Sequence, residues 1–110
     1  MTIYRIETYV IKPEKHNEYR AIMKKWLEYI KKHKQKCREL KSWKLFSRLI
    51  GDQIGGYVEM WELDSLADYE KLMNRIMQDK EFQEIISEFS TKCLVPATYT
   101  ANVWNSVCGM

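Results

Sequence analysis

Histidine and cysteine are scarce here, with two histidines and three cysteines in 110 residues. His16 and His33 stand at opposite ends of one helical stretch, too far apart to share a metal ion, and no ligand cluster accompanies either. Both read as structural or solvent-facing. Cys37, Cys93 and Cys108 make an odd number without a Cys-x-x-Cys pair, so neither a zinc site nor a closed disulfide framework is indicated. Free thiols are the expectation, with one intramolecular disulfide as the alternative. No apolar run approaches membrane-spanning length, and the start, Met1-Thr2-Ile3-Tyr4-Arg5, lacks the features of a signal peptide, so a cytoplasmic location without membrane contact is expected. A Ser-His-Asp arrangement, a phosphate loop and a dinucleotide fingerprint are also missing, which leaves no support for a metal or cofactor.

What is present describes an ordinary globular chain, 45% hydrophobic and 30% charged. Its length fits one compact domain over residues 1–110. The net charge of +3 conceals a split, since residues 1–48 carry +9 and the remainder −6. A Lys-rich run from Lys24 to Lys44 can be read as a phosphate-binding patch, but a basic helix face beside an acidic helix of the same domain is the favoured reading.

Residues 3–11 alternate, with Tyr4, Ile6, Thr8 and Val10 on one face and Arg5, Glu7 and Tyr9 on the other, which predicts a first strand. Lys12-Pro13-Glu14 ends it and suits the first turn of a helix, because proline's missing N–H is not needed there. Tyr19, Ile22, Met23, Trp26, Leu27, Ile30 and His33 then recur at helical spacing. Alternation over residues 43–50 predicts a second strand, and the turn 51–55 joins it to a third at 56–63 as a hairpin. In that third strand Tyr57, Glu59 and Trp61 share a face, a carboxylate between two aromatics, which is the pattern of a pocket wall. Ser65 with Asp68 resembles a capping box opening a second amphipathic helix, interrupted at residues 78–80 before a segment bearing Phe82, Ile85, Ile86 and Phe89. A last strand follows Pro96, over residues 97–107.

The order β-α-β-β-α-β is the ferredoxin-like split βαβ plan, an α+β fold with an antiparallel sheet and both helices on one face. It places Cys37 and Cys108 at the same end, making them the likelier pair if a disulfide forms. If the helices cover the more apolar side, the open side carries Arg5, Glu7, Tyr9, Lys44, Phe46, Arg48, Tyr57, Glu59, Trp61, Thr100, Asn102 and Trp104. So much aromatic surface implies a cover, and a second copy of the chain is the simplest one.

Ile3-Tyr4-Arg5-Ile6-Glu7-Thr8-Tyr9 leading to Lys12-Pro13, then Tyr57-Val58-Glu59-Met60-Trp61-Glu62 with Asp64-Ser65-Leu66-Ala67-Asp68, then Asp79-Lys80-Glu81-Phe82, resembles the dimeric α/β-barrel superfamily. The likeness is greatest to the NIPSNAP-like group, with the antibiotic-biosynthesis monooxygenase group next. It implies that two ferredoxin-like sheets close into a barrel whose lumen holds a small molecule. Arg5 and Glu7 stand in the reverse order to the Glu-before-Arg of NIPSNAP-like first strands. Haem-degrading members use an Asn on the first strand and a His on the second helix. Here Glu7 falls near the first position and no His follows Leu49, so haem oxygenation is not implied.

Glu7 and Glu59 lie on neighbouring strands and can serve as an acid–base pair, with Arg5 or Arg48 stabilising an anion. An internal ion-pair network is an equally good account of them. Tyr9, Phe46, Tyr57, Trp61, Asn102 and Trp104 would line the ligand site, and they equally fit core packing. The resulting expectation is a homodimer binding a small aromatic or carboxylate-bearing molecule in the barrel lumen, with any catalysis being cofactor-independent oxygenation or acid–base chemistry. Two alternatives stand beside it, a structural or interaction protein and an RNA-binding module of the same topology. Nucleic acid is the weaker of these, because Glu59 occupies a position where that module needs a stacking aromatic.

Overall fold

The computed structural model describes residues 2–51 and 54–109. Strand β1 (Ile3–Val10) is followed by a 3₁₀ turn (Pro13–Lys15) and helix α1 (His16–Lys32), and then by the β2 (Ser42–Ser47) and β3 (Gly56–Leu63) hairpin. Helices α2 (Leu66–Ile76) and α3 (Lys80–Glu88), a π-helical turn (Phe89–Cys93) and strand β4 (Thr100–Asn105) complete the chain. The sheet order is β2-β3-β1-β4, antiparallel throughout, with β1 and β3 at the centre. This is the ferredoxin-like arrangement.

Local chemistry accounts for the element boundaries. Pro13 opens the turn into α1 where an N–H would have no partner. Ser65 Oγ accepts from the Asp68 N–H at 3.1 Å and starts α2. Asp79 caps α3 through the Glu81 N–H, which is why the second helical region breaks at residues 78–80. β2 and β4 are shorter than their alternating patterns, ending at Ser47 and Asn105. Of the 51–55 turn, Asp52 and Gln53 lie outside the described residues. Gly55 adopts φ +82°, the left-handed conformation that favours glycine.

The helices cover the opposite sheet face from the one expected. Register pairs Arg5 with Trp61, Glu7 with Glu59 and Tyr9 with Tyr57, so these six side chains share a face. That face lies beneath the helices: Tyr9, Trp61, Glu7 and Glu59 are all buried. Lys44, Phe46, Thr100, Asn102 and Trp104 lie on the other side, together with Tyr4, Ile6, Val58 and Met60. The expected site is therefore split by the sheet. Two faces of similar apolarity cannot be ranked by apolarity alone, and what α1 presents decides between them. Tyr19 offers a hydroxyl to the buried polar groups while Trp26 stacks on Trp61 with ring centroids 5.1 Å apart. Tyr29, one position away from the expected stripe, is buried, whereas Leu27 is not.

The charge split resolves as a contact between helices. Lys25 meets Glu88 at 2.9 Å, Lys32 and His33 meet Glu81, and Lys36 meets Asp79 at 2.9 Å. Asp79 also accepts from the Tyr29 hydroxyl at 2.6 Å, and the Tyr29 and Lys36 donors hold its pKa down to about 2. Cys37, Cys93 and Cys108 are all free. Among the described residues no helix is long and apolar enough to cross a membrane.

Candidate functional site

Between the sheet and the helices lies a cavity of about 360 Å³. Met23 and Trp26 of α1, Met73 of α2 and Met77 just after it, Phe82, Ile85 and Ile86 of α3, and Phe89 of the π-helical turn make its apolar walls. Arg5, Glu7, Glu59 and Tyr99 bring polar groups to the sheet side. A small apolar chamber with a few convergent polar groups is the usual form of a ligand site.

Glu7 and Glu59 are directly opposed across β1 and β3, and they are 6% and 5% exposed. Tyr9 donates to Glu59 Oε2 at 2.6 Å and Trp43 Nε1 donates to Oε1 at 2.9 Å. Since the Tyr9 proton is used on Glu59, its oxygen accepts from the Tyr19 hydroxyl. Tyr99 donates to Glu7 Oε2 at 2.7 Å, and Arg5 Nη2 donates to Tyr99 at 3.1 Å. Arg5 Nη1 lies 3.6 Å from Glu7 Oε1, and its guanidinium carbon lies 4.9 Å from the centroid of the Trp61 ring.

Burial raises the pKa of Glu59 to about 7, and the neighbouring Glu7 carboxylate adds to the rise. The hydrogen bonds from Tyr9 and Trp43, and the charge of Arg5, oppose it. Burial likewise pushes the hydroxyls of Tyr9, Tyr19 and Tyr99 well above the ordinary tyrosine value, so all three remain neutral donors. The cluster thus contains one carboxyl able to hold or release a proton near neutrality.

Of the residues assigned from sequence, Arg5, Glu7, Glu59 and Trp61 line this cavity. Tyr9 supports it from beneath through Glu59. Tyr57 lies beside the cluster, its hydroxyl 2.9 Å from His16 Nδ1, and borders a separate groove with Tyr19 and Leu45. Phe46, Asn102 and Trp104 belong to the open face. Arg48 is exposed beyond the end of β2, its side chain folded across Gly51 and Gly56, and it does not join the carboxyls.

Sequence reasoning missed Trp43, Tyr19 and Tyr99. Trp43 and Tyr19 lie on different elements, and only the fold brings Trp43 to Glu59 directly and Tyr19 to it through the Tyr9 hydroxyl. Tyr99 depends on the turn before β4, where Ala97 takes φ +67° and the Thr98 hydroxyl donates to Val95 O and accepts from Val10 N. Pro96 followed by a left-handed residue is the geometry of a type II turn, and only Pro96 signalled it in the sequence, because Ala rather than Gly holds the left-handed position.

The fold and cavity define a ferredoxin-like α+β protein with a partly open cavity between its sheet and helices. Solved structures share this fold across nearly the whole chain. A NIPSNAP family protein from Agrobacterium tumefaciens str. C58 superposes with a TM-score of 0.75 at 18% identity, covering 97% of this chain and 94% of its own. A dimeric protein of unknown function and ferredoxin-like fold from Bacteroides fragilis NCTC 9343 gives 0.64 at 10% identity, covering 96% of each chain. An antibiotic biosynthesis monooxygenase also gives 0.64, at 16% identity, covering 96% of this chain and 99% of its own. No curated protein matches the chain. The NIPSNAP family model matches residues 4–99, and this chain belongs to the NIPSNAP family.

Proposed function

We propose that this protein binds a small organic molecule in the cavity between its sheet and helices, and that Glu59 and Glu7 exchange a proton with that molecule if it is transformed. The observation that carries this reading is the opposed pair of buried carboxyls in the wall of an otherwise apolar cavity. Burying such a pair is unfavourable for the fold, and a buried carboxyl whose pKa is raised, as that of Glu59 is, suits acid–base chemistry in a cleft. Arg5, held against Glu7 and Trp61, supplies positive charge beside any anion that develops. Oxygenation is the second chemistry, supported by the fold shared with an antibiotic biosynthesis monooxygenase.

The open face supports a homodimer. Tyr4, Ile6, Phe46, Val58, Met60 and Trp104 form a continuous apolar patch across all four strands, with Phe46 47% and Trp104 57% exposed. A second copy covering it would close a barrel from two sheets, in keeping with the dimeric ferredoxin-like neighbour. The ligand site then lies within each protomer rather than in the lumen. Against the RNA-binding alternative, Tyr57 and Trp61 of the aromatic third strand face the helices rather than the open side.

Native mass spectrometry of the purified protein, gentle and then denaturing, tests both parts. A dimer carrying releasable extra mass is expected. Ile86→Trp, at the cavity rim, should lose that mass and keep the dimer, while Trp104→Glu should lose the dimer and keep the mass. Extra mass retained by Ile86→Trp would refute the cavity as the site.

A further inference from the structure

The charges around the cavity do not balance. Two carboxyls, Glu7 and Glu59, are served by one guanidinium, and Arg5 is already committed. Its Nη1 faces Glu7 Oε1 at 3.6 Å and Met73 Sδ at 3.7 Å, its Nη2 donates to Tyr99, and its plane lies against Trp61. Both Glu59 oxygens have donors, from Tyr9 and Trp43. Glu7 Oε1, by contrast, is buried without any hydrogen-bond partner, on a residue that is 6% exposed and lines the cavity. With both carboxyls ionised the cluster carries one uncompensated negative charge in a low-dielectric setting, which is strongly unfavourable.

Two species can supply the missing positive charge, a proton on one carboxyl or a cation brought in by the ligand. Resting on the cavity reading above, we infer that the ligand is a lipophilic organic amine, bound as its ammonium beside Glu7 and Glu59 with its apolar body among Trp26, Met73 and Phe82. The ammonium takes the place of the proton that the carboxyl pair otherwise retains. It donates to the vacant Glu7 oxygen, and the surrounding aromatic rings favour a cation. A carboxylate-bearing ligand, one of the two classes expected from the sequence, would meet two carboxyls and an arginine that is already engaged. A neutral alcohol of the same shape fills the space but leaves the charge unbalanced.

The titration of Glu59 agrees with this account. The groups facing it are Arg5, Glu7 and Tyr9 on β1, Tyr19 on α1, Trp43 on β2 and Tyr99 before β4. The residues of α2, α3 and the turn between them that line the cavity are Met73, Met77, Phe82, Ile85 and Ile86, none of them titratable. Binding an ammonium should therefore expel the shared proton. With that proton leaving near pH 7, amine affinity rises about tenfold from pH 6 to pH 8, a range in which an aliphatic amine stays charged.

The test is isothermal titration calorimetry with three matched probes, 2-phenylethylamine, 2-phenylethanol and phenylacetate, at pH 6 and pH 8 in buffers of different ionisation heat. The amine should bind more than tenfold more tightly than the alcohol, phenylacetate should not bind, and the heats should report proton release with the amine alone. Glu59→Gln should abolish the pH dependence, and Glu7→Gln should weaken the amine at least tenfold while sparing the alcohol. Alcohol binding as tight as the amine would overturn the inference and leave the cavity reading intact. If none of the three binds, a second measurement decides: the Glu59 carboxyl ¹³C shift followed with pH in saturating hexylamine and then in hexanol. A fall in its apparent pKa with the amine alone upholds the inference. No change with either probe sinks the inference, and the cavity reading is then judged by the mass spectra of wild type and Ile86→Trp.

Discussion

Replacing Glu59 by Gln should remove the dependence of stability on pH that this carboxyl imposes. Its pKa in the folded protein is raised from the ordinary 4.5 to about 7, by burial first and by Glu7 second. The folded state therefore holds the proton more tightly than the unfolded chain does. That contribution is whole below pH 4.5, declines as pH rises through the window up to about 7, and is gone above it. At ~1.4 kcal/mol for each tenfold change in proton affinity, the loss across the window is ~3 kcal/mol. Gln keeps the shape and cannot ionise, and the Tyr9 hydroxyl can turn to accept from its amide. Wild type and Glu59→Gln should then lie within ~1 kcal/mol of each other at pH 4.5. At pH 8 the variant should be more stable by ~3 kcal/mol. Urea denaturation at fixed protein concentration from pH 4.5 to 8.5 measures this. The difference between the two proteins matters, because Glu39 and Asp79, with lowered pKa values, bend both profiles in the opposite sense at acid pH. Parallel profiles would refute the claim that Glu59 carries a displaced proton.

Other expectations follow from packing and turns. Leu72→Ala, at a fully buried position of α2, should lower stability by about 2–5 kcal/mol in the same denaturation assay. Ala97→Gly should raise it by roughly 0.5–1 kcal/mol, since Ala97 occupies a left-handed conformation that costs an L-residue more than glycine. Asp79→Ala removes the cap of α3 and the acceptor of Tyr29 and Lys36, and should cost at least ~1 kcal/mol, visible as a lower Tm. Ellman's reagent at pH 8 should titrate one thiol, the exposed Cys108, in the native protein and three in guanidinium, because Cys37 and Cys93 are buried and burial pushes the Cys37 thiol up to about 11.

Much of the architecture was legible in the chain. Alternation identified β3 to the residue, the capping signal at Ser65 located the start of α2, and the interruption at residues 78–80 separated α2 from α3. The likeness in short motifs pointed to the NIPSNAP family that the comparison shows. Strand periodicity also put Arg5, Glu7, Tyr9, Tyr57, Glu59 and Trp61 on one side, because a period of two settles which residues share a face. It is silent on which face the helices cover. That choice rests on what a helix brings with it, and α1 brings Tyr19 for the carboxyl network and Trp26 for Trp61. With its donors supplied across the fold by Tyr9, Trp43 and Tyr99, a charged and aromatic face can be buried, while Phe46 and Trp104 are left outside. The sequence by itself determined the strand order and the membership of each face. Only the tertiary structure decided where those faces point, because hydrogen bonds between residues 16 to 92 positions apart give the buried carboxyls their partners.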